Sequence, residues 1–156
     1  MTALVGVVSE KEFDLFYQEY QTLRDEDLDP RMVAVVRKFN TLPSIVTRFC
    51  CSGHYKKERP NDYSCTPHLI FVSKADINSI LLAFQCWVNT LQRERWLILR
   101  PSISLVNLAL LEVPFFYWAW KIEFSAKPHN AGQARDIQTA FLDMTKYIQS
   151  VVTASI

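Results

Sequence analysis

From Phe116 to Phe124 the chain reads FYWAWKIEF, and the alternation is strict. Phe116, Trp118, Trp120, Ile122 and Phe124 fall on one side of an extended backbone, with Tyr117, Ala119, Lys121 and Glu123 on the other. A two-residue period fits a strand and not an amphipathic helix, so the chain must build a sheet with one heavily apolar face. Large aromatics bury readily, so the stripe is expected to be core beneath helices. Were it exposed, its rings could stack on nucleobases.

The remaining elements are read around that strand. Ser9 and Glu12 form a capping-box pattern that opens a helix to about Arg24, with Phe13, Phe16, Tyr17, Tyr20 and Leu23 on one face. Asp29-Pro30 supplies an N-cap and first-turn proline for a second helix to about Phe39, with Val33 and Val36 inward. Ile45 to Cys50 is rich in β-branched residues and reads as a strand, and His68 to Val72 as another. Between them, His54 to Pro67 is polar and irregular, the kind of long internal loop that often binds or covers a ligand. Ser73 and Asp76 cap a helix carrying Ile77, Ile80, Leu81, Phe84, Trp87, Val88 and Leu91 to about Arg93. Trp96 to Leu99 reads as extended. Ile103 to Glu112, apolar at nearly every position, reads as a strand covered on both faces. Asn130 to Gly132 is a turn, followed by a helix with Ile137, Phe141, Met144, Ile148 and Val151 inward.

The order is helix, helix, strand, strand, helix, strand, strand, helix. It predicts a single α+β domain over residues 1–156, with a strand-strand-helix unit used twice around an antiparallel or mixed sheet flanked by helices. Nearly half of the 156 residues are apolar, enough for a sizeable core without metal or disulfides. The longest apolar run, Val113 to Trp120, is too short to span a bilayer, and no signal-peptide pattern opens the chain. A cytoplasmic protein with no membrane partner and with reduced thiols at its four cysteines is therefore expected.

Charge is unevenly distributed. Glu10 to Asp29 holds eight acidic residues against Lys11 and Arg24, whereas Arg31 to Arg59 holds seven basic residues against Glu58. The stretch VTRFCCSGH, residues 46–54, lies in the basic segment. Three chemistries fit it. Cys51, His54, Cys65 and His68, in two C-x2-H pairs, match a tetrahedral zinc set that would stabilise a nucleic-acid binder. A reactive Cys51 thiol beside His54 is a second reading, although residues so close in sequence rarely form a spatial dyad. The third, favoured here, is a ligand-cradling turn in which Ser52 and Gly53 present backbone N–H groups, Thr47 a hydroxyl and His54 an imidazole. Arg48, Lys56, Lys57 and Arg59 would then bind or steer an anionic substrate. With three glycines and no GxGxxG or Walker pattern, dinucleotide-binding and P-loop folds are excluded.

The run RKFNTLPSIVTRFCCSGH, followed by an insert, PHLIFVS and the helix ADINSILLAF, resembles the wybutosine-synthesising tRNA methyltransferase family over roughly residues 30–90. Asn40, Thr47, Cys51, Ser52, Gly53 and Pro67 stand at the matching positions. His54 replaces the family's arginine, whose bidentate grip an imidazole cannot copy, and Cys50 replaces a serine. The resemblance implies S-adenosylmethionine bound by Thr47, Cys51, Ser52 and Gly53, with His54 and His68 beside them, and methyl transfer to RNA. The Thr…Cys-x-Gly-His pattern is also similar to that of phage-encoded accessory proteins. On that resemblance the same pocket would hold a nucleotide or a protein partner without chemistry.

Overall fold

The computed structural model describes residues 6–53, 66–109 and 116–154. Helix α1, Glu10–Gln21, begins as its sequence predicts. Ser9 Oγ accepts from the Glu12 N–H and Glu12 Oε1 from the Ser9 N–H, each at 3.1 Å. Val8 and Phe13 flank this box and are both buried in one apolar cluster, a hydrophobic staple that fixes how the chain enters the helix.

Helix α2, Val33–Phe39, starts later than the Asp29-Pro30 signal predicts. Asp29 caps a preceding turn instead, accepting from the Arg31 N–H at 3.1 Å while its carbonyl accepts from the Met32 N–H at 2.8 Å. The inward residues are consequently Met32, Val35, Val36 and Phe39, with Val33 only half-buried.

Strand β1, Ile45–Cys51, and strand β2, His68–Ser73, pair antiparallel. Helix α3 follows at Asn78–Asn89. The expected Ser73/Asp76 capping box does not form. Ser73 is the fully buried last residue of β2 and turns its hydroxyl onto Ala75, so Asp76 alone serves the helix start, accepting from the Asn78 N–H at 3.1 Å.

The segment expected to be extended at Trp96–Leu99 is helical. Arg93–Leu99 forms α4, and Arg100 ends it in the left-handed region at φ 47°. Arg, Glu and Leu are good helix formers, and four apolar residues are too few to impose a strand.

Strand β3, Pro101–Ala109, is among the described residues an edge strand hydrogen-bonded only to β4, Phe116–Phe124, in the order β1-β2-β4-β3. Its described side chains are half-buried or exposed, which corrects the reading of a strand covered on both faces. Proline at its first position suits an edge, where no ladder donor is lost. Helix α5, Ala131–Ala154, completes the fold. Asn130 Oδ1 accepts from the Gln133 N–H and Gln133 Oε1 from the His129 N–H, so the expected turn is a side-chain-capped helix start with Gly132 inside the helix.

Every pairing in this sheet is antiparallel. Two strand-strand-helix units, β1-β2-α3 and β3-β4-α5, meet through their second strands, β2 and β4. The fold is thus the single α+β domain that the element order implies. One face of the sheet lies under α2, α3 and α5, around Leu69, Phe71, Ile122, Phe124, Phe141 and Met144. The other lies under α1, around Phe16, Val46, Val72, Tyr117 and Ala119. Among the described residues no helix is long and apolar enough to cross a membrane.

The aromatic stripe of β4 is divided, which corrects the expectation that all of it is core. Ile122 and Phe124 are fully buried under the helices, and Trp120 packs partly against them. Gly6, at φ +79°, lies against the Trp120 ring so closely that a Cβ there would meet it at 2.7 Å. Beyond that point Trp118 is 44% and Phe116 73% exposed.

Charge complementarity also has an internal explanation. Glu19 pairs with Arg48 at 2.7 Å and Asp25 with Arg37 at 2.8 Å, so part of the acidic segment neutralises part of the basic one.

Candidate functional site on the open end of the sheet

The strand-to-turn segment is held by side chains from three helical regions. Asn40, just past α2, donates through Nδ2 to Thr47 Oγ1 at 2.6 Å and to the Val36 carbonyl at 2.7 Å. Its Oδ1 accepts from the Thr47 N–H at 3.0 Å. Asp29 Oδ2 accepts from both the N–H and the hydroxyl of Ser52, at 2.8 and 2.7 Å. The Gly53 carbonyl accepts from Gln138 of α5 at 2.6 Å, and Arg31 donates to the same glutamine. The Gly53 N–H donates to Cys51 Sγ at 3.3 Å. Thr47, Ser52 and Gly53 therefore direct these groups into the scaffold.

Gly53 has a separate geometric requirement. Its φ is +93°, and a Cβ there would meet the Pro67 ring at 3.0 Å. Gly53→Ala is expected to lose about 2 kcal/mol from backbone strain and this contact, read as a lowered urea midpoint. A loss under about 0.5 kcal/mol, the range of an unremarkable surface substitution, would show that the turn relaxes around a side chain.

Cys50 and Cys51 point to opposite faces. Cys50 packs against the helix-covered core, and burial, assisted by the charge of Asp29, pushes its thiol up to about 11. It is a small apolar side chain and not a nucleophile at neutral pH. Cys50, Cys51 and Cys86 are free thiols. Arg48 is the extra residue of a β-bulge between Thr47 and Phe49. Its guanidinium lies 4.4 Å from the Phe16 ring centroid and pairs with Glu19, so it joins the α1 interface rather than an open anion site. His54, Lys56, Lys57, Arg59 and Cys65 lie outside the described residues.

What the fold brings together is a row that sequence spacing does not reveal. Cys51 faces His68, His68 faces Glu123, and Glu123 faces Ser102, one residue from each strand. The next row on that face is Phe49, Ile70, Lys121 and Ser104. Cys51 and Ile70 are buried, His68, Ser102, Lys121 and Glu123 half-buried, and Phe49 and Ser104 exposed, so this end of the face is partly open. Phe49 is 52% exposed there, and Lys121 pairs with Glu123 at 3.1 Å.

His68 Nδ1 lies 2.8 Å from the Thr66 carbonyl oxygen. A carbonyl only accepts, so Nδ1 carries the proton and Nε2 is the basic nitrogen. Partial burial, helped by Lys121, lowers the imidazole's pKa below its ordinary value, against the opposing effects of the Thr66 carbonyl and Glu123. The ring is thus neutral at pH 7. Because the fold disfavours its charged form, stability associated with His68 is full above the ordinary histidine pKa. It declines as pH falls from there through the lowered value.

Among the described residues no three His, Cys, Asp or Glu side chains converge as a metal site. Cys51 and His68 of the four-residue zinc set are cross-strand neighbours. Phe49, Ser102, Lys121 and Glu123 are absent from the site read in the sequence. The alternation of β4 places Lys121 and Glu123 away from the apolar stripe, but only the register sets them beside His68.

The fold and this face define a compact α+β domain with a partly open, mixed polar and aromatic sheet surface. Comparison with protein-family models, curated proteins and solved structures finds no match.

Proposed function

We propose that the open end of the α1-side sheet face binds a nucleoside-type ligand. S-adenosylmethionine is the cofactor and methyl transfer to RNA the reaction carried forward from the sequence resemblance. The observation that carries the reading is the pair of adjacent rows across four strands, Cys51/His68/Glu123/Ser102 and Phe49/Ile70/Lys121/Ser104. An exposed ring beside hydroxyl, imidazole, carboxylate and ammonium groups can stack on a base while its edges find donors and acceptors. His68, neutral with Nε2 basic, is suited to take a proton from an accepting nucleophile.

Calorimetric titration with S-adenosylmethionine, and separately with adenosine, tests the reading. Both are expected to bind, and Phe49→Ala is expected to weaken both by about tenfold or more, the scale of a lost base stack. No heat from either at millimolar concentration would overturn the proposal. Binding of adenosine alone would reject the methyl donor and favour a non-enzymatic nucleotide-binding protein. If transfer occurs, its rate should fall as pH drops through the lowered pKa of His68 and stay flat above the ordinary value. His68→Gln should lose most of the rate and this acidic limb.

A further inference from the structure

We infer that a second site, for a phosphate monoester with an apolar body, lies where the end of α4 meets the start of α5. A cavity of about 310 Å³ opens there, at the lower end of the size range of ligand pockets. Arg100, Lys127 and His129 line it, and among the described residues no carboxylate does. Ser125 and Gln133 add neutral polar groups to the same lining. Leu97 and Ile98 form an apolar wall, each about half exposed at 49% and 48%.

The electrostatic setting differs from that of cations elsewhere in the fold. Arg37, Arg48, Lys74 and Lys121 each have a carboxylate partner. Among the described residues, Arg100, Lys127 and His129 form no ion pair. Arg100 Nε donates to the Leu97 carbonyl at 3.3 Å, leaving the outer guanidinium nitrogens as the groups that carry the charge outward. A phosphate could accept from them in the forked geometry that guanidinium favours. The start of α5 is closed by its own Asn130 and Gln133 side chains, so the selectivity rests on the Arg100 and Lys127 side chains.

Arg100 also occupies an unusual backbone position. It ends α4 at φ 47°, where glycine would be relaxed, while its N–H and carbonyl tie the chain to Trp96 and Ser125. An arginine here places a guanidinium at the cavity at the expense of local strain. Leu97 and Ile98, on the preceding turn, would contact the ester's apolar portion. The site shares no residue with the open sheet face, so it stands or falls independently of the nucleoside proposal.

Phenyl phosphate is the probe, followed by amide chemical shifts in two-dimensional NMR. Saturable shifts are expected at residues 97–100 and 125–133. Phenol, which lacks the charge, and inorganic phosphate, which lacks the ring, should each bind at least about tenfold more weakly. Lys127→Gln, at an exposed position, should weaken phenyl phosphate by about threefold to tenfold, and more at low salt than at high salt. Arg100→Gly preserves the left-handed backbone and should weaken it by at least about tenfold. Absence of saturation by about 10 mM, equal affinity for phenol, or unchanged affinity in both variants would overturn the proposal.

Discussion

Phe124→Ala should destabilise the protein by about 4 kcal/mol, whereas Trp118→Ala, six residues earlier on the same strand face, should cost about 1 kcal/mol or less. Phe124 is fully buried, with its ring 5.8 Å from that of Trp87 and 5.2 Å from that of Phe141, in an edge-to-face contact with the latter. Truncation removes its transfer energy and leaves a cavity that α3, α5 and β4 cannot all close. Trp118 is 44% exposed and outside both core clusters, so alanine there removes mainly surface contacts. Equilibrium urea unfolding of both variants measures the contrast. Equal losses would mean that the exposed end of the stripe is covered in solution, by a second copy or another occupant.

That contrast marks where the sequence was legible and where it was not. Alternation established β4 and its two faces, because a two-residue period is a local property of the chain. Burial along one face depends on where α3, α5 and the segment at Gly6 end, which no periodicity within β4 encodes. The same limit explains α4. Trp96–Leu99 satisfied a local apolar pattern, but the longer RERWLIL segment favoured a helical turn closed by Arg100. The capping box at Ser9 and most inward residues of α3 and α5 were readable from end signal or periodicity, as were Phe13 and Phe16 of α1, whereas Tyr17, placed on the same face, is exposed. At Ser73 the end signal was ambiguous, and burial in β2 decided it.

The candidate site was legible in part for the same physical reason. Cys51, Ser52 and Gly53 are contiguous, so a strand ending in a tight turn could be read directly. His68, Glu123 and Ser102 join Cys51 only through the β1-β2-β4-β3 register, a long-range property. The basic bias of residues 31–59 was visible, but the pairing of Arg37 with Asp25 and Arg48 with Glu19 was not. Thr47 and Ser52 illustrate the remaining difficulty. A hydroxyl at a turn suits both ligand binding and internal hydrogen bonding, and only the positions of Asn40 and Asp29 identify its present partners.

Asn40→Ala provides the second large effect, and it separates those two roles. Asn40 joins Thr47 through both its amide oxygen and nitrogen while also reaching the Val36 carbonyl, so one side chain ties the end of α2 to β1. Thr47 is 8% exposed, and alanine at position 40 would leave its buried N–H and hydroxyl short of partners. A loss of about 3 kcal/mol is expected, because desolvated groups left unpaired cost more than the net value of the bonds removed. Asn40→Asp, which keeps the acceptor for the Thr47 N–H but loses the amide donor, should recover part of that loss. Urea unfolding gives the totals, and hydrogen exchange at the Thr47 amide should accelerate in Asn40→Ala more than in Asn40→Asp. If Asn40→Ala instead leaves stability and exchange unchanged but abolishes nucleoside binding, this asparagine belongs to the ligand site. If stability falls as expected while any residual folded protein retains ligand affinity, the Asn40–Thr47 pair is a scaffold joint. The open rows containing Phe49 and His68 then remain the surface on which recognition must be sought.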